Sequence, residues 1–152
     1  MSAIDISVEI DIAAAPADVA GVMFDPQRDP EWMKAVTAVE LLDPALEPGA
    51  RVRRTGGFAG AEFHWTTAVE AVHFPHLLTL RIVDGPFVGT VRYDVQRAGT
   101  GSRVRIRNVG EPKGLGFLPS AMISGPMKTA LTADLERLKA IVEEQTMKTM
   151  KA

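Results

Sequence analysis

Ile4-Asp5-Ile6-Ser7-Val8-Glu9-Ile10-Asp11-Ile12-Ala13 alternates apolar and polar side chains almost without a break. Successive residues of an extended chain point to opposite faces, so the five aliphatic residues share one face of a strand and Asp5, Ser7, Glu9 and Asp11 the other. Such a strand belongs in a sheet with one dry and one wet side. The same period recurs over 38–42, 51–58, 62–73, 77–83, 87–97 and 102–111. Pro48-Gly49, Ala59-Gly60, Phe74-Pro75, Asp84-Gly85-Pro86 and Ala98-Gly99-Thr100-Gly101 punctuate these segments as turns. Connections this short join antiparallel neighbours. Parity puts Phe63, Trp65, Thr67, Leu78, Leu80, Ile82, Val91, Tyr93, Val104, Ile106 and Asn108 on the dry side. Arg51, Arg53, Arg81, Arg92, Arg103, Arg105 and Arg107 fall on the wet side, with Glu70 and Asp94 among them.

Helical signals flank the strands. Pro16 suits a first helical turn, Asp18 favours the positive helix start, and Val19, Val22 and Met23 make an apolar stripe ending near Asp25-Pro26. Asp29-Pro30-Glu31 repeats the start, with Asp29 as cap, and launches a second short helix carrying Trp32, Met33 and Val36. From Pro126 onward Met127, Leu131, Leu135, Leu138 and Val142 recur at helical spacing. A helix of about 20 residues is about 30 Å long and crosses a sheet of ten-residue strands. Gly125-Pro126 interrupts the helical-looking stretch 118–124, so a kink or a fresh start capped by Ser124 is expected there. The polar end 145–152 is expected to fray. The predicted class is α+β: one domain over 1–152, a curved seven-stranded antiparallel sheet, two short helices, and a long C-terminal helix over an apolar cavity.

Composition narrows the chemistry. At 152 residues the chain buries about 70% of its extended surface in one core without staples. Zero cysteines exclude disulfides, thiolate nucleophiles and thiolate metal sites. A net charge of -2 gives no general pull toward nucleic acid or anionic lipid. No stretch is long and apolar enough to span a bilayer, and Met1-Ser2-Ala3-Ile4-Asp5 lacks a secretory pattern, so a cytoplasmic location is the default expectation. His64, His73 and His76 lack ligand spacing and no carboxylates cluster, which argues against a metal. Gly114-Leu115-Gly116 has Pro119 where a dinucleotide loop needs its third glycine, so no cofactor is expected.

Ala15-Pro16-Ala17-Asp18-Val19, Asp29-Pro30-Glu31-Trp32, Pro48-Gly49-Ala50-Arg51-Val52, Val69-Glu70-Ala71-Val72-His73-Phe74-Pro75 and Leu135-Glu136-Arg137-Leu138-Lys139 occur in this order along nearly the whole chain. In that order they resemble the START-like (SRPBCC) superfamily, in particular its polyketide cyclase/dehydrase and lipid-transport branch. The sequence departs from common members at Phe74-Pro75, where two prolines are frequent, and at Ala20-Gly21, where a bulkier residue often stands. The resemblance implies a helix-grip fold around a hydrophobic cavity, in proteins ranging from carriers to cyclases.

Trp32 on a roofing helix, Phe63, Trp65, Thr67, Tyr93 and Asn108 on inward strand positions, Arg54 if its parity holds, and Met122 at the mouth are the candidate ligand contacts. Core packing or mutual hydrogen bonding accounts for each of them about equally well, and for Met122 plain core filling is the better account. A bulge at Gly56-Gly57 would turn Arg54 outward. If inward, Arg54 is an anchor for a carboxylate or enolate. Binding of a small hydrophobic molecule, such as a lipid, a steroid-like or an aromatic polyketide compound, is the leading expectation. The alternative is a polyketide cyclase or dehydratase with Arg54 and Tyr93 as its catalytic candidates, since no other catalytic constellation is present. A third reading uses the arginine face as a protein-interaction surface; the usual meaning of such a stripe is a solvated sheet face, and the net charge argues against nucleic acid.

Overall fold

The computed structural model describes residues 4–58, 60–112 and 120–151. The chain runs β1 (Ile4–Ile12), α1 (Pro16–Met23), a 3-10 turn (Pro26–Arg28), α2 (Asp29–Trp32), β2 (Val36–Leu41), β3 (Arg51–Phe58), β4 (Ala61–His73), β5 (Leu77–Asp84), β6 (Phe87–Ala98), β7 (Gly101–Pro112) and α3 (Ser120–Lys151). The seven strands form one open, curved antiparallel sheet in the order β1-β7-β6-β5-β4-β3-β2. Strands β2 to β7 are a meander, and the N-terminal strand closes onto the last one, Ile4 opposite Gly110 and Ile12 opposite Ser102.

Three irregularities shape the sheet. Between Val36 and Ala38 the pairing with β3 slips, between Thr66 and Thr67 the pairing with β5 passes over Val83, and between Val69 and Ala71 it slips around Glu70. An extra residue bends its strand and raises the local twist. After Glu70 the parity of β4 changes, so Val69 is buried and Val72, three residues on, packs against the same core. The β3–β4 register is regular from Arg51↔Ala68 to Phe58↔Ala61. The slip near Gly56 therefore lies on β2, and Arg54 keeps its inward parity.

The core lies between the apolar sheet face and the helices. Val8, Val95, Val104 and Ile106 from the sheet meet Val19 and Met23 of α1 and Leu135, Leu138 and Val142 of α3. Helix α3 packs along β1, α1 and α2. Polar contacts fasten it at its C-terminal half: Ala13 N–H donates to Glu143 Oε2 at 2.8 Å, and Arg28 donates to Gln145 Oε1 at 2.6 Å.

Several sequence expectations are corrected. Helix α3 has 32 residues and passes through Pro126 without restarting, so Ser124 lies inside it and caps nothing. Met122, Gly125 and Pro126 are exposed, and the Thr129 hydroxyl donates to the Gly125 carbonyl at 3.1 Å. The segment 145–151 is helical rather than frayed, with Lys148 on Glu144 and the Thr146 and Thr149 hydroxyls donating one turn back. Helix α2 stops at Trp32, because Met33 is extended and Val36 already pairs with β3. Asp29 is a helical residue, not a cap, and its carboxylate goes elsewhere. The segment Gly114-Leu115-Gly116 lies outside the described residues.

Leu138 is fully buried under α3 and Met122 is 62% exposed on the same helix. Leu138→Ala is expected to lower the unfolding free energy by about 2–5 kcal/mol, and Met122→Ala by less than about 0.5 kcal/mol. Urea unfolding followed by circular dichroism measures both, and equal effects would contradict the packing of this helix.

Candidate functional site

Contact between α3 and the sheet is close from Leu135 to Val142 and opens toward the helix N-terminus. There Met127, Ala130, Leu131 and Asp134 face the strands across a cavity of about 270 Å³. Its sheet wall follows the cross-strand rows. Asn108, Val91 and Leu80 stand side by side on β7, β6 and β5, and Thr67 and Ile82 are opposite each other on β4 and β5. Pro86 and Phe87 border one side, Met33 and Val36 another. The lining is overwhelmingly apolar, with a small number of polar groups set into it, the usual character of a small-molecule site.

The main polar group is an ion pair. Arg54 on β3 and Asp29 on α2 are 6% and 2% exposed, and Arg54 Nε donates to Asp29 Oδ2 at 2.6 Å. A second guanidinium nitrogen donates to Thr67 Oγ1 at 2.7 Å. Two desolvated charges are tolerated when they are paired and further hydrogen-bonded. Burial pushes the Asp29 carboxyl up to about 6, against the pull of Arg54. The pair ties α2 to the sheet and places a neutralised guanidinium on the cavity wall.

Tyr93 lies across from Leu78 and Ile106 on its sheet row, and its ring packs edge-on against Trp32 at 6.0 Å and beside Phe24 at 6.3 Å. Burial, and then the Asp29 charge, raise the Tyr93 phenol well above its ordinary value, so it stays a neutral hydroxyl. On the helix side Asp134 is paired with Arg137 and accepts the Lys34 N–H at 3.4 Å. Burial raises its carboxyl above the usual range, with these partners pulling the other way. Arg137 also donates to the Trp32 carbonyl at 3.0 Å, which fixes α2 against α3.

Of the residues expected from sequence, Arg54, Trp65, Thr67, Tyr93 and Asn108 come together on this wall. The Trp65 indole lies over Gly56, where an added Cβ would come within 2.7 Å of the ring. Trp32 is fully buried behind Tyr93 and outside the cavity lining, and its indole N–H has no hydrogen-bond partner among the described residues. Phe63 is half-buried and outside the lining, and Met122 is exposed on the helix and also outside it. Asp29 and Asp134 were absent from the expected set. Asp134 carried a signal, since it stands three residues after Leu131 and four before Leu138 on the apolar stripe. Asp29 carried none, because an Asp-Pro pair also fits a helix start.

The outward arginines are exposed as expected, but many are matched. Arg103 pairs with Asp11 at 3.0 Å, Arg107 with Asp5 at 2.7 Å, Arg92 with Asp94 at 2.8 Å and Arg51 with Asp43 at 3.2 Å. Among the described residues no group of three or more histidines and carboxylates is placed to hold a metal, and His76 donates from Nδ1 to the Val95 carbonyl at 2.8 Å.

The raised Asp29 carboxyl sets a pH dependence. A carboxyl whose folded pKa, about 6, lies above its ordinary value of 3.8 contributes most at low pH and loses that contribution as pH rises through the folded value. The unfolding free energy of the native chain minus that of Asp29→Asn should therefore fall by up to about 3 kcal/mol between pH 4 and 6. Denaturant titrations at several pH values measure it. A difference that rises over this window would show Arg54, not burial, to dominate.

Known proteins share this architecture. The model of the family described as polyketide cyclase / dehydrase and lipid transport matches residues 3–143. No curated protein matches significantly. A START superfamily protein from Mycobacterium smegmatis superposes with a TM-score of 0.81 at 17% identity, covering 93% of this chain and 98% of that one. The Zhui aromatase/cyclase from Streptomyces sp. R1128 gives 0.80 at 15%, covering 95% and 96%. TTHA0849 from Thermus thermophilus gives 0.78 at 20%, covering 91% and 97%. At these identities the structural likeness speaks for the fold. With the family model spanning all but the two ends of the sequence, the chain belongs to the polyketide cyclase / dehydrase and lipid transport family.

Proposed function

We propose that the protein binds a small hydrophobic molecule in the cavity between α3 and the sheet. The observation that carries this reading is the cavity itself: about 270 Å³ of apolar space beside a well-packed core, with Asn108, Arg54 and Tyr93 set into its wall. Its volume lies just below the roughly 300–1,000 Å³ usual for ligand sites, so a compact ring system suits it better than a long acyl chain. Apolar burial contributes roughly 25 cal/mol per Å² before ordering costs. Dissociation constants of about 10 µM to 1 mM are reasonable for a ligand this small.

A second reading, cyclisation or dehydration of a poly-β-ketone, is favoured by one arrangement. The Arg54 guanidinium and the Tyr93 phenol border the same cavity, where hydrogen-bond donors stabilise a developing enolate best when water is excluded. The neutral Tyr93 donates a hydrogen bond or a proton and does not act as a base near neutral pH.

The arginine face supports a partner-binding reading less well, because carboxylates neutralise much of it. No helix among the described residues is long and apolar enough to cross a membrane.

Titration of nitrogen-15-labelled protein with aromatic, steroid-like and fatty compounds should shift the Trp65 indole saturably and the Trp32 indole, behind Tyr93, less strongly. Ala130→Trp, which fills the cavity from the helix, should abolish these shifts while leaving the rest of the spectrum folded. Silence of both indoles across the panel at near-millimolar concentration would sink the binding reading. For the enzymatic reading, Tyr93→Phe should slow turnover of a poly-β-ketone at least about tenfold, and unchanged turnover would remove Tyr93 from the chemistry.

A further inference from the structure

We infer that the cavity selects an uncharged ligand bearing a hydroxyl, read by the side-chain amide of Asn108, and discriminates against carboxylates. The inference rests on the binding reading above and specifies what it binds. Asn108 is 8% exposed on the cavity wall, and its Oδ1 is fully buried with no hydrogen-bond partner among the described residues. Its neighbours in the same sheet row, Val91 on β6 and Ile6 on β1, have no side-chain group to offer. A buried amide oxygen without a partner is costly to the folded state, and a donor that meets it when the Asn108 side chain turns toward the cavity recovers that cost on binding. A ligand hydroxyl meets the requirement whichever way the amide is turned, since it both donates and accepts.

Charge works in the same direction. Arg54 is the cation on the wall that would attract a carboxylate, and it is already held at 2.6 Å by Asp29 and at 2.7 Å by the Thr67 hydroxyl. Arg137 is likewise engaged by Asp134, whose carboxyl itself borders the cavity. An entering anion would lose its hydration and meet, on the wall, an Arg54 already matched by Asp29 and the carboxylate-bearing Asp134. The anchoring role that Arg54 suggested from sequence alone is thus filled from within the chain.

Three probes of similar shape separate the possibilities in the native protein: 2-naphthol, 2-methoxynaphthalene and 2-naphthoate, titrated at pH 7 and followed by the Trp65 indole signal. The naphthol should bind about tenfold tighter than the ether, and the naphthoate at least about tenfold weaker than the naphthol. Asn108→Leu should bring the naphthol and the ether to equal affinity and raise the melting temperature, because it removes the unpartnered oxygen. Equal affinities in the native protein, tightest binding of the naphthoate, or a preference for naphthol that survives in Asn108→Leu would each overturn the inference while leaving cavity binding intact. Failure of all three probes to bind would instead remove the binding reading on which it stands. The native-protein comparison decides even if the variant does not fold.

Discussion

One apolar sheet face has to be covered, and a single long helix does most of the covering. A straight rod cannot follow a curved surface along its whole length. Helix α3 meets the sheet closely through Leu135, Leu138 and Val142, near β1 and α1, and stands away from it around Met127, Ala130 and Leu131. The cavity is the space left by that mismatch. Its position follows from where the helix is fastened, by Glu143 to the β1–α1 connection and by Arg28 to Gln145.

The polar groups inside are arranged by the second short helix. Asp29 lies one turn before Met33, so the segment that supplies an apolar residue to the cavity rim also supplies the counterion for Arg54. Trp32, between them in sequence, fills the core behind Tyr93 and offers its carbonyl to Arg137. A four-residue helix with little stability of its own is therefore held by two charged contacts and one aromatic side chain, and it sets the electrostatic character of the cavity wall. That character is neutral, which is compatible with a ligand burying apolar area rather than charge.

Much of this was legible in the sequence. Alternation of apolar and polar residues located every strand to within about two residues, because turn formers stood between most of them; the start of β2, which lacks one, is displaced furthest. Parity brought Trp65, Thr67, Tyr93 and Asn108 to one wall, since the slip beside Thr67 takes its extra residue from β5 and the one at Glu70 lies beyond these positions. Arg54 was ambiguous from Gly56-Gly57 alone, and only pairing with β4 fixed its side. Asp29 was illegible as a buried partner because its ion pair joins residues 25 positions apart, while its local context matched a helix start. Pro126 failed to break α3 because the affected turn faces water, where a freed carbonyl is solvated at little cost.

The pairing of β1 with β7 has a consequence during synthesis. The first strand emerges about a hundred residues before its partner, with Ile4↔Gly110 and Ile12↔Ser102 as its ends. On the ribosome Ile4, Ile6, Val8 and Ile12 thus remain without their final neighbours until nearly three-quarters of the chain is made, and α3, which lies over them, comes last. Long-range closure of this kind slows folding and lengthens the exposure of an unpaired edge. The acidic residues Asp5, Glu9 and Asp11, which in the finished protein meet arginines of β7, serve the nascent chain as charges that keep an aliphatic strand from pairing with its own kind.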